Sequence, residues 1–170
     1  IKKLQTNLIK NEILALDIAN FVKEHKIELN SNFSIIINSG PGSFSGVRVS
    51  LAVAKGIQIV KRTNVYSYNN FLLNASTHLT EKKNIFSLQK TNKFYYYCKG
   101  TFETNYHFTP PKKIDLKIFK SSESLFIVPN EIKNDEIIKN IDPKRIRIAH
   151  FNLKNIDLLI KNKLVENKLI

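Results

Sequence analysis

Residues 33–60 constrain the fold more than any other stretch of the chain. "FSIII" (33–37) is a β-branched run with the length of a buried strand. "NSGPGSFSG" (38–46) packs three glycines and a proline into one turn, and helix formers run on from about Val47 to Val60. A strand that enters such a turn and leaves through a helix start belongs to an α/β layered domain. The free N–H groups of that helix start attract anions. Three uses are open to such a loop: cradling a phosphate, presenting a nucleophilic serine, or shaping a surface for another protein.

Motif spacing tests the first two. A P-loop needs Gly, four residues and then Gly-Lys-Ser/Thr, which Gly40 to Arg48 does not supply. The dinucleotide fingerprint needs G-x-G-x-x-G, and "GPGSFSG" has one residue too many before its third glycine. Neither Ser43 nor Ser45 sits in a G-x-S-x-G elbow, and nothing in the spacing of His25, His78, His107 and His150 nominates a base. Both serines read instead as caps of the following helix.

The periodicity of the helix shifts attention from the glycines to the residues after them. Val47, Leu51 and Ala54 make one apolar face, while Val49, Val53, Gly56 and Val60 make another. Residues 6–25 predict a helix with Thr6 as N-cap, again with two stripes: Leu14, Ile18, Phe21 and Val22 on one, Ile9, Ile13 and Leu16 on the other. One face of each helix can cover a sheet; the second needs a further partner. The competing reading sandwiches both helices inside the chain's own core.

The remainder alternates short strands and helices. Strands are expected at 64–68, 84–88, 93–103, 124–129 and 144–150, with Gln89 to Asn92 as the turn between the second and third. Helices are expected at 69–79, weakly at 130–141, and over 152–169. With 170 residues the chain suits one domain or two small lobes, and no apolar run reaches the length of a membrane span. A single cysteine, Cys98, excludes an internal disulfide and a Cys-based zinc cluster, and a cytoplasmic setting is expected. The chain contains no methionine, so Ile1 is taken as an internal start. The net charge of +13 invites a nucleic-acid reading. However, only Arg48, Arg62, Arg145 and Arg147 among the 27 basic residues are arginine, and the lysines are scattered, as on a solvated surface.

"GPGSFSGVRVSLAVAKG" closely resembles the signature of the bacterial TsaB family, also called YeaZ, whose typical form is GPGSFTGVRIGLAVAKGLA. Ser45 stands where threonine is usual and Ser50 where glycine is usual. "FSIIINSGPGSF", "NVYSYNNFLLNA" and "KTNKFYYYCKGTF" are similar to neighbouring family segments, so the resemblance covers residues 1 to about 105. It implies an α/β, two-lobed actin-like/Hsp70-like ATPase (ASKHA) fold that has lost catalysis, with residues 1–68 in a partial N-terminal lobe and 69–170 in a divergent C-terminal lobe. The family opens with an "ILAIDTS" strand hairpin and closes with P-x-Y-L-R. Neither is present, so both ends are expected to be truncated, with a sheet edge exposed and no independent ATP binding.

The function implied is that of a non-catalytic subunit for N6-threonylcarbamoyladenosine (t6A37) synthesis in tRNAs that read ANN codons. Its expected partners are a TsaD-like subunit, which carries the metal site, and a TsaE-like ATPase, with tRNA engaged through the complex. A homodimer is expected when the chain is alone. No metal or catalytic residue is expected here, and ATP or ADP only at the shared interface. The loop motif is Gly40, Pro41, Gly42, Ser43, Phe44, Ser45, Gly46 and Arg48, the last as a loop anchor or interface salt-bridge residue. The partner face is expected to use Leu14, Ile18, Leu51, Ala52, Ala54, Lys55 and Gly56, with the small residues allowing close helix approach. Two alternatives remain. One is an active superfamily member, either a sugar-kinase-like phosphotransferase or a glycoprotease-like metalloenzyme, against which stand the missing His-x-x-x-His pair and the absence of acids between Asn32 and Lys61. The other is direct tRNA binding through the basic surface.

Overall fold

The computed structural model describes residues 13–81, 83–103, 106–120, 124–150, 152–161 and 164–167. These fall into two compact units, divided between Tyr68 and Asn69, and residues 166–167 return to the first unit. The C-terminal lobe expected over 69–170 is corrected at its end by that return.

The first unit is built on α1 (Leu14–Glu24), β1 (Ser34–Asn38), α2 (Phe44–Lys61), β2 (Asn64–Tyr68) and β9 (Glu166–Asn167). β1 and β2 pair in parallel from Ser34↔Asn64 to Asn38↔Tyr68, so the chain between them must cross over, and α2 is that crossover. β9 adds an antiparallel pair to the other side of β2, giving the order β1-β2-β9. Among the described residues, the second edge of β1 has no strand beside it. Thr6 and Ile9, placed on the first helix by the sequence, lie outside the described residues. No residue of α1 is fully buried: Leu14, Ile18, Phe21 and Val22 face an apolar cavity of about 390 Å³ shared with β1 and α2.

The second unit is a mixed sheet in the order β5-β4-β3-β7-β8, made by β3 (Ile85–Thr91), β4 (Phe94–Phe102), β5 (Tyr106–Phe108), β7 (Leu125–Pro129) and β8 (Ile146–Ala149). β6 (Lys112–Lys113) pairs with the outer edge of β4. "LFIV" of β7 lies between two parallel neighbours and is buried throughout, which is why it reads as an unbroken apolar run. One sheet face packs Phe86, Leu88, Phe126 and Val128 against Phe119, Ile132 and Ile138. The opposite face packs Ile85 and Ile127 against Ala75 and Leu79, which come from α3 (Asn70–Ala75) and the 3₁₀ turn after it. Ser87 is fully buried on that face, and its hydroxyl donates to the Phe71 carbonyl at 2.7 Å, so its own oxygen is not stranded there.

Three elements differ from expectation. The hairpin turn is Asn92–Lys93 rather than Gln89 to Asn92, because Asn92 accepts a left-handed φ of 54° and lets pairing continue to Thr91↔Phe94. The segment 130–141 forms 3₁₀ turns around buried Ile132 and Ile138, not an α-helix. Within the expected final helix, the described residues form a 3₁₀ turn (Leu153–Asn155), α4 (Ile156–Lys161) and β9.

Packing in this unit has two measurable outcomes. A Cβ on Gly100 would come within 2.6 Å of the Phe108 ring, so Gly100→Ala should cost about 1–3 kcal/mol in urea unfolding, and Phe108→Leu should recover part of it. Burial pushes the Cys98 thiol up to about 12, well above its unfolded value. Cys98 should therefore resist iodoacetamide in the native protein at pH 8 and react once urea unfolds it. Because the folded pKa is the higher one, this contribution to stability is complete below the unfolded pKa of about 8.5 and declines as pH rises toward 12.

Candidate functional site

The Gly-rich loop is fixed at its start by the end of β2. The Ser39 backbone N–H and hydroxyl both donate to the Tyr68 carbonyl, at 2.7 and 2.9 Å. The Asn38 side-chain oxygen accepts from Gly40 N–H at 2.8 Å, closing an Asx turn. Gly40 then adopts φ +103°, a conformation that L side chains rarely adopt, and the Gly40–Pro41 peptide is cis.

Ser43 ends the loop as the N-cap of α2. Its side chain accepts from Gly46 N–H at 3.4 Å, its carbonyl accepts from Val47 N–H, and its hydroxyl lies 3.1 Å from that of Ser45. Ser50 donates back to the Gly46 carbonyl at 2.8 Å. The two loop serines thus hydrogen-bond each other, and Ser43 also holds the first turn of the helix. Gly42 has open space where a side chain would stand. Phe44 is 75 % exposed, and the Arg48 guanidinium lies 4.9 Å from its ring centroid. Among the described residues Arg48 forms no ion pair. No group of three or more His, Cys, Asp or Glu able to hold a metal occurs among the described residues.

Beyond the loop, α2 divides its residues between two surroundings. Ser50, Val53, Ala54 and Ile57 face β1 and the cavity. Ala54 is only 2 % exposed, which corrects its placement on the partner face: it belongs to the unit's own core. Leu14 lines the same cavity. On the outer side, Gly56, Val60 and Lys61 of α2 meet Ala15, Ile18 and Ala19 of α1 along an open apolar groove of about 510 Å³. Ile18 and Gly56 are therefore brought together, Ala52 is exposed on α2, and Leu51 and Lys55 are half-buried on that helix. Sequence reasoning missed Ala15, Ala19 and Ile59. The i, i+4 spacing of the two alanines was the signal for the first two, and Ile59 is 80 % exposed just beyond the expected stripes.

No family model matches the chain. Two solved Pseudomonas aeruginosa structures align with 92 % of it at 11 % identity. One, described as an uncharacterized protein with similarity to peptidase YEAZ, gives a TM-score of 0.61 over 79 % of its own chain. The other, described as YeaZ, gives 0.59 over 80 %. At that identity they show the fold, which is the actin-like, ASKHA α/β fold expected from the sequence. A curated protein from Buchnera aphidicola subsp. Baizongia pistaciae (strain Bp), described as tRNA threonylcarbamoyladenosine biosynthesis protein TsaB, is 29 % identical over 169 aligned positions, covering 89 % of this chain and 74 % of its own length. The chain is thus similar in sequence to a protein described as TsaB and in fold to structures described as YeaZ or by similarity to it.

The loop geometry predicts a local defect. Gly40→Ala forces a Cβ onto a backbone held at φ +103° and should cost about 1–3 kcal/mol in thermal unfolding, with faster amide exchange at the start of α2.

Proposed function

We propose that this chain is a non-catalytic, TsaB-like subunit that pairs with a TsaD-like partner for t6A37 synthesis in tRNAs reading ANN codons. The observation that carries the reading is the uncovered outer groove between α1 and α2, on the helix that the Gly-rich loop launches. Val60 and Ile59 stand 74 % and 80 % exposed on that helix, and covering each contributes about 1.5–3 kcal/mol. Small residues at Ala15, Ala19 and Gly56 let a partner helix approach closely. Arg48 offers that partner a guanidinium unclaimed by any carboxylate among the described residues. The Gly-rich turn sets where α2 begins, and the transfer chemistry, the metal and any nucleotide belong to the partner or the joint interface. A TsaE-like ATPase joins the assembly, and a homodimer through the same groove is the arrangement without the partner.

A peptidase-like reading is less well supported, because Ser43 and Ser45 hydrogen-bond each other at the helix start, and neither hydroxyl is paired with a histidine among the described residues. No helix of the described residues is long and apolar enough to cross a membrane.

Co-purification with a TsaD-like subunit tests the reading. Gly56 has open space at its Cβ, so Gly56→Arg should leave the isolated chain as stable as before or more so, since Gly is the poorer helix former by about 1 kcal/mol. The same change should weaken pairing by at least about 30-fold. Ala54→Arg buries an unpaired charge and should unfold the first unit instead. Full pairing by Gly56→Arg would move the interface elsewhere.

A further inference from the structure

We propose that the tip of the β3–β4 hairpin in the second unit contacts RNA directly, Phe94 stacking on an unpaired base while Lys93 and Lys113 take the flanking phosphates. Pairing register sets the arrangement. Phe94 and Tyr96 point to one face of the sheet, as alternate residues of β4, and Lys113 is the cross-strand partner of Tyr96 on β6. Lys113 Nζ lies 4.1 Å from the Phe94 ring centroid. Phe94 is nevertheless 48 % exposed, an aromatic at a sheet end that the fold does not cover. The two-residue turn puts Lys93 immediately beside it, whereas Lys112, the cross-strand partner of Tyr97, belongs to the opposite face; Lys93 and Lys113 are exposed.

Their charge is not neutralised within the described chain. Lys93 and Lys113 have no carboxylate partner among the described residues. On the opposite hairpin face, by contrast, Lys90 donates to Asp135 at 2.9 Å, and Tyr95 donates to the same carboxylate at 2.6 Å. Residues 83–120 carry eight lysines against two carboxylates, Glu103 and Asp115. An exposed ring bordered by unpaired ammonium groups matches a nucleotide, which offers a π-face and a phosphate within one repeat. An acidic peptide would satisfy the lysines and leave the ring uncovered. The choice of RNA rests on the tRNA-linked reading above; the site itself uses none of the residues of the α1–α2 groove.

Fluorescence anisotropy of the intact chain with an unmodified tRNA transcript, and with oligo-uridylate, across a salt series tests the platform. Replacing Lys93 and Lys113 by alanine should lower the slope of log affinity against log salt by about 1.5. Phe94→Ala should weaken binding about 5- to 100-fold with the slope unchanged, and Phe94→Trp should retain it. Circular dichroism melts confirm that each variant is folded. The proposal is overturned by the absence of salt-sensitive RNA binding or by full affinity of Phe94→Ala. It also fails if alanines at Lys133 and Lys139 lose as much slope, or if poly-glutamate binds as tightly as RNA of equal charge. The same variants should pair normally with a TsaD-like subunit, so failure here leaves that pairing standing, and loss of pairing by Gly56→Arg bears on the groove alone.

Discussion

The Tyr68 carbonyl is the point on which the first unit's functional geometry hangs. It ends β2, and it accepts both the backbone N–H and the hydroxyl of Ser39, the first residue after β1. Parallel strands cannot share a tight hairpin, so β1 and β2 are joined only through the long α2 crossover. The Ser39 clasp ties the start of that crossover to the strand it leads into. Once Ser39 is held, Asn38 turns the chain through Gly40, Ser43 caps the helix, and the direction of α2 is set. Helical periodicity then decides which of its residues meet β1 and which stay outside.

Much of this is legible in the residues. The expected bounds of β2 are the observed ones, the strand–loop–helix order is right, and the buried run of β7 declares itself by its unbroken apolar sequence. The failures have physical causes. Ala54 has the size that suits a partner helix, but alanine suits any close contact, and the sheet claims it. The segment 130–141 has helical spacing, yet it only needs to place Ile132 and Ile138 over the sheet, and short 3₁₀ turns do that. At the C-terminus, Lys- and Asn-rich sequence matches a helix pattern, while β2 offers an edge on which Glu166–Asn167 pairs. Backbone pairing between distant segments leaves little trace in a single sequence.

The candidate site is legible in location more than in use. The glycines stand out because they are rare here, five in the whole chain, and three fall in one turn. Their contribution is conformational: Gly40 supplies a backbone angle, and Gly42 leaves a space. The chemistry suggested by such loops elsewhere depends on spacing and on neighbouring carboxylates, which this stretch lacks. In the structure the loop fixes the start of a helix whose outer side is apolar.

The bare edge of β1 gives the protein's charge a second meaning. "SIIIN" is short, β-branched and uncharged, with one row of backbone donors and acceptors left without a strand among the described residues. Such an edge is a template on which like segments of other copies can stack into cross-β aggregates. A net charge of +13 opposes that encounter, because every copy repels every other before the edges meet. The scattered lysines thus act as a colloidal barrier, one that weakens as salt shortens the reach of their field.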